Sequence, residues 1–87
     1  MNYTSKQITL TEIKHKETTY FITPTVFEIE ILNGCKYLFA SEDLSIIATG
    51  ESEEEVLKEI AEQFDYNYRN GLTKLVKEVK IGSKRTD

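Results

Sequence analysis

Cys35 and His15, the only cysteine and the only histidine of the chain, would form a nucleophile and its base if the fold held the ring against the sulfur. Cys35 follows Asn33-Gly34, whereas His15 opens a separate polar turn, His15-Lys16-Glu17, and no Asp or Asn is placed to orient the ring. Cys35 is therefore expected to be a small, half-buried hydrophobe. Metal-assisted cleavage offers a second chemistry, which needs three or four carboxylates converging on a space of about 4 Å. Glu28 and Glu30 share a strand face and Glu42-Asp43 follows, but strict alternation makes the first two the solvated side of an amphipathic strand. A third set, Glu53, Glu54 and Glu55, stands where a helix begins, and acids there serve the helix end before they serve catalysis.

The remaining inventory excludes more than it offers. One cysteine leaves no internal disulfide, and one histidine leaves no common Cys/His zinc cage. Gly34, Gly50, Gly71 and Gly82 are isolated, so no glycine-rich phosphate loop exists. Basic and aromatic residues do not interleave as single-stranded nucleic acid requires. No catalytic residue, metal or cofactor is expected, and the chain does not read as an enzyme.

Charge is more informative. Residues 51–65 carry seven acids against one base, Lys58, a balance of −6 within a chain of net charge −4. Residues 1–50 balance to −2 and residues 66–87 to +4. A concentrated acidic stretch repels phosphate backbones and attracts cationic surfaces, which favours a basic protein partner over nucleic acid. The basic tail reads as a solvated end.

These side chains need elements to position them. Ile8-Thr9-Leu10-Thr11 alternates, with one slip before Ile13, and Thr18-Thr19-Tyr20-Phe21-Ile22-Thr23 is rich in β-branched and aromatic residues. Pro24 marks a strand end, a bend or an edge. Phe27-Glu28-Ile29-Glu30-Ile31 alternates strictly, and Asn33-Gly34 is a hairpin dipeptide tolerant of positive φ. Residues 35–40 return as a strand, and Leu44-Ser45-Ile46-Ile47-Ala48-Thr49 forms another that ends at Gly50. Ser52 and Glu55 have the spacing of a capping box. Val56, Leu57, Ile60, Ala61, Phe64 and Tyr68 form one apolar stripe of a helix over about 52–70. Glu54–Lys58 and Asp65–Arg69 are i,i+4 pairs expected on its exposed face, and Asn70-Gly71 stops it. Leu72, Leu75, Val76 and Val79 predict a short C-terminal helix, with a strand left open at Val79-Lys80-Ile81; residues 83–87 should fray.

This order predicts one α+β domain over residues 1–87: a small antiparallel sheet with the main helix on its Phe27/Ile29/Ile31 face. The longest apolar run, Tyr37-Leu38-Phe39-Ala40, is far short of a membrane span, for which about 20 residues are needed. The N-terminus lacks the apolar core of a secretory signal, so a cytoplasmic address is expected. Exposed sheet edges lead to an expectation of homodimerisation.

The segment Phe27-Glu28-Ile29-Glu30-Ile31, the loop at Gly34, the strand Tyr37-Leu38-Phe39-Ala40, and the stretch from Glu42-Asp43-Leu44 to Glu55-Val56-Leu57 resemble the HicB-like antitoxin family over about residues 26–79. Gly50, Ser52, Glu54, Glu55 and Leu57 fall where that family's pattern of strand-ending glycine, Ser or Thr, and acids expects them. Residues 1–25 stand outside the pattern, and Ser41-Glu42-Asp43-Leu44 replaces its Pro-rich turn. The resemblance implies a truncated ribonuclease-H-like fold without nuclease activity that blocks a small toxin ribonuclease. The binding surface expected from the acidic helix comprises Glu55, Glu59, Glu62, Asp65 and Tyr66. The alternative is a small homodimeric structural protein with no toxin target.

Overall fold

Alternating and β-branched residues in the first half do form strands, and they are longer than the local patterns predict. The computed structural model describes residues 3–73 and 75–82 of the chain. In chain order the elements are β1 (Tyr3–His15), β2 (Thr18–Leu32), β3 (Lys36–Ser41), β4 (Ile46–Gly50), α1 (Glu53–Arg69) and β5 (Val76–Ile81). The strands make one antiparallel sheet in the order β1-β2-β3-β4, and β5 pairs with the first part of β2. β2 is thus the spine, with β1 along one side and β5 and β3 at opposite ends of the other.

Pro24 lies inside β2 rather than ending it. Between Leu10 and Glu12 the register shifts, so that Ile22, Thr23 and Pro24 face the single residue Thr11. A bulge is where a residue without an N–H is tolerated in a strand, and it bends the sheet. The bend also explains why the buried residues of β2 change phase, from Thr18, Tyr20 and Ile22 to Phe27 and Ile29.

The turns follow the expected chemistry. Asn33 and Gly34 both have positive φ, 54° and 68°, and the Cys35 N–H donates to the Leu32 carbonyl at 3.1 Å. Ser52 is the N-cap of α1, its Oγ accepting from the Glu55 N–H at 3.2 Å. The reciprocal arm of the box is displaced by one residue, because Glu55 Oε1 accepts from the Glu51 N–H at 2.8 Å. At the other end, the Leu72 N–H reaches the Asn67 carbonyl at 2.8 Å and the Gly71 N–H reaches the Tyr68 carbonyl at 3.0 Å. That paired closure, with Gly71 at φ 72°, is a Schellman stop.

Val56, Ile60, Ala61 and Phe64 of the stripe are buried in one core with Tyr20, Ile22, Phe27, Ile29, Phe39, Ile46 and Ala48. Phe27 meets Phe39 edge-on at 5.3 Å, and Tyr20 meets Phe64 at 5.4 Å. The helix lies chiefly against β4, and less against β1 and β3. Among the described residues no helix follows α1, and Val76–Ile81 takes the strand reading. The expected frayed segment, residues 83–87, lies outside the described residues.

Candidate binding surface

Helical periodicity sends the acids of α1 in three directions, and this divides the expected surface. One flank carries Glu55, Glu59 and Gln63 at i, i+4 and i+8, facing the outer edge of β4. Gln63 Oε1 accepts from the Ile47 N–H at 3.2 Å while its Nε2 donates to the Ile47 carbonyl at 2.6 Å. Glu59 Oε1 accepts from the Thr49 N–H at 3.1 Å, and Glu55 Oε1 takes the Glu51 N–H. Backbone groups of residues 47, 49 and 51, alternate positions that point away from β3, are thus met by alternate turns of one helix. The Gln63 amide mimics the peptide group that a neighbouring strand would present. Glu55 and Glu59 are engaged within the molecule.

The opposite flank turns Asp65 inward. Expected on the exposed face, Asp65 is only 7% exposed, because Tyr20 from β2 and His15 from the end of β1 close over it. Tyr20 Oη donates to Asp65 Oδ1, Arg69 Nε donates to Oδ2 at 2.9 Å, and His15 Nδ1 stands 3.4 Å from Oδ2. Burial pushes the Asp65 carboxyl up, but the hydrogen bonds from Tyr20 and Arg69, with the Arg69 charge, outweigh it and hold the group below its ordinary value. Tyr20 is pushed up to about 12, by burial first and then by its bond to Asp65. The expected Asp65–Arg69 pair therefore forms, but as part of a partly buried cluster rather than on the surface. Glu54 and Lys58 make no ion pair among the described residues; the neighbouring Glu53 instead receives Lys6 from β1 at 2.6 Å.

The third direction is solvent. Glu62 is exposed, and Tyr66, one turn on, is 64% exposed. Glu51 and Glu54 are exposed on the first turn and the residues before it. Of the five expected residues, only Glu62 and Tyr66 lie together on an open face with no structural duty.

Three residues that matter were missed from sequence. Gln63 completes the row begun by Glu55 and Glu59. Asn67, buried on the stripe, donates to the carbonyls of Leu44 and Ser45 at 2.8 and 3.3 Å and holds the turn before β4. Tyr20 supplies the hydroxyl on Asp65. A polar residue at a stripe position, as Asn67 is, was the available signal.

The other candidate chemistry is dispersed. Cys35 is exposed, not half-buried. His15 pairs with Thr18 at one end of β2 and Cys35 follows Leu32 at the other, roughly 45 Å apart for fourteen extended residues. They cannot form a dyad. Among the described residues there is no group of three His, Cys, Asp or Glu side chains able to hold a metal ion, and no helix long and apolar enough to cross a membrane. A groove of about 590 Å³ runs between β1 and α1, floored by Leu10, Ile13, Leu57 and Ala61 and edged by charges of both signs.

No family model, no curated protein and no solved structure compared with this chain matches it.

Proposed function

We propose that this chain is a non-enzymatic, HicB-like antitoxin module that masks a basic protein partner such as a small toxin ribonuclease. The observation that carries the reading is the open face of α1, where Glu62 and Tyr66 are exposed, with Glu51 and Glu54 exposed nearer the start of the helix. A ribonuclease must present cations to hold phosphates, and carboxylates compete for those cations while steering the encounter. Tyrosine adds contact area at small entropy loss, as binding surfaces commonly use it.

The test is inhibition and co-purification of a small basic ribonuclease encoded beside this chain. Glu62→Lys with Tyr66→Ala should weaken capture and slow association most at low salt. Unchanged capture by that variant, or absence of binding by the native chain, refutes the reading. Glu55 and Glu59 are unsuitable for the purpose, because reversing either would also break a contact to the edge of β4.

A further inference from the structure

Glu55, Glu59, Gln63 and Asn67 stand one turn apart on α1. They meet Glu51, Thr49, Ile47 and Ser45, alternate residues of β4 and its flanks, in reverse order. Two spacings make the match possible. Four helical residues rise about 6 Å and two strand residues advance about 6.7 Å, a difference that long side chains absorb. Side-chain oxygens accept from the N–H groups of residues 47, 49 and 51, and side-chain amides donate to the carbonyls of residues 45 and 47. Those are the partners a further antiparallel strand would supply.

The segment guarded in this way is the one that charge does not protect. Leu44-Ser45-Ile46-Ile47-Ala48-Thr49-Gly50 holds no charged residue and no proline, and Ile46, Ile47 and Thr49 are β-branched, the composition of a self-pairing strand. By contrast β1 carries Lys6, Glu12 and Lys14, and β5 carries Lys77, Glu78 and Lys80. Charges of this kind deter edge pairing without help from a helix.

We propose that the row is an autoinhibitory plug: α1 takes the place of the next strand and keeps β4 from pairing with β4 of a second copy. The pairing it prevents is antiparallel about Ala48, which sets Ile47 opposite Thr49 of the partner subunit, twice over. In that register the outward N–H and C=O of each residue meet those of the other. Ile46 and Ala48 are buried, so Ile47 and Thr49 project from the sheet face away from the core, where Ile47 is 67% exposed. A β-branched cross-strand pair forms there with no charge to oppose it. The carboxylates of Glu55 and Glu59 strengthen the plug, because two approaching edges bring like charges together. Glu62 and Tyr66 lie on another face of α1, so the plug does not rest on the partner reading above.

Sedimentation and amide exchange from micromolar to millimolar concentration test the plug. Glu59→Ala with Gln63→Ala should associate about tenfold more tightly than the native chain. Its Ile47 and Thr49 amides should exchange quickly when dilute and slow as concentration rises. Adding Ile47→Lys, which returns a charge to the edge without rebuilding the row, should abolish that association. Ser52→Ala weakens the start of α1 but leaves the row in place, so it should behave as the native chain does. Circular dichroism of each variant reports the fold; if the double variant is unfolded, Gln63→Ala alone gives the same reading to a lesser degree. A variant no more associated than the native chain, association that survives Ile47→Lys, or equal association by Ser52→Ala would overturn the proposal.

Discussion

Replacing Asp65 by leucine removes a carboxylate of similar length while leaving its surroundings in place. Tyr20 is 1% exposed and its hydroxyl donates to Asp65, so the variant leaves a buried donor without its acceptor, a loss of about 1–3 kcal/mol. The Arg69 bond adds little, about 0.3–0.5 kcal/mol, because that guanidinium is largely in solvent. The total expected is about 1.3–3.5 kcal/mol, read as a lower urea midpoint at constant slope. Tyr20→Phe should cost less, because the carboxylate keeps Arg69 and His15. The double variant should be less damaged than the sum, since neither group is then stranded. The pH dependence has a definite sign. Because the folded carboxyl is held below its ordinary 3.8, the stabilisation is complete above that value and is lost as pH falls through the lower folded value. Tyr20 acts at the other end: its rise from 10.0 to about 12 favours the neutral hydroxyl, so its contribution holds below pH 10 and disappears between 10 and about 12. Asp65→Asn should flatten the acid limb and narrow the alkaline one. If Asp65→Leu unfolds within about 0.5 kcal/mol of the native chain, a level typical of a neutral surface change, the cluster is not the support described here.

Other substitutions test the elements around it. Gln63→Ala should lose about 1 kcal/mol and speed hydrogen exchange at the Ile47 amide, because both backbone groups of Ile47 then face water. Gly50→Ala places a Cβ 2.7 Å from the Glu55 Cβ; a fall in melting temperature matching about 1–3 kcal/mol is expected, with the start of α1 displaced in amide shifts. Ser52→Ala removes the N-cap acceptor and should reduce stability by about 1 kcal/mol, measurable by the same urea titration.

Much of the fold was legible because its signals are local. The Asn33-Gly34 turn, the Ser52 cap, the Gly71 stop and the Val56–Ile60–Phe64 stripe each lie within one or two turns of chain and were borne out where they were read. The extent of β1 was not legible, because Thr4, Ser5, Lys6 and Gln7 are polar and become strand only by pairing with Ile31, Glu30, Ile29 and Glu28. β2 hid its length behind Pro24, which a bulge accommodates. Val76–Ile81 reads equally as a helix face or a strand, and its pairing with Thr18 to Ile22 decides the matter. The candidate surface was harder still. Periodicity shows that Glu55, Glu59, Glu62 and Asp65 lie off the apolar stripe, but not which flank meets a strand edge. That depends on β4 being the last strand beside α1, a property of the sheet order. Asp65 was misplaced for the same reason, since Tyr20 approaches it from a strand 45 residues away in sequence and His15 from the strand before that.

The division of the acidic helix into two engaged flanks and one open face can be tested by titrating a short Lys/Arg peptide, a stand-in for a cationic partner, into labelled protein at low salt and following amide shifts. The account predicts changes gathered at Glu62 and Tyr66, fading as salt is raised, with Ile47, Thr49 and Asp65 unmoved. Changes centred on β4 or on the Asp65 cluster, or none at any salt concentration, would contradict it.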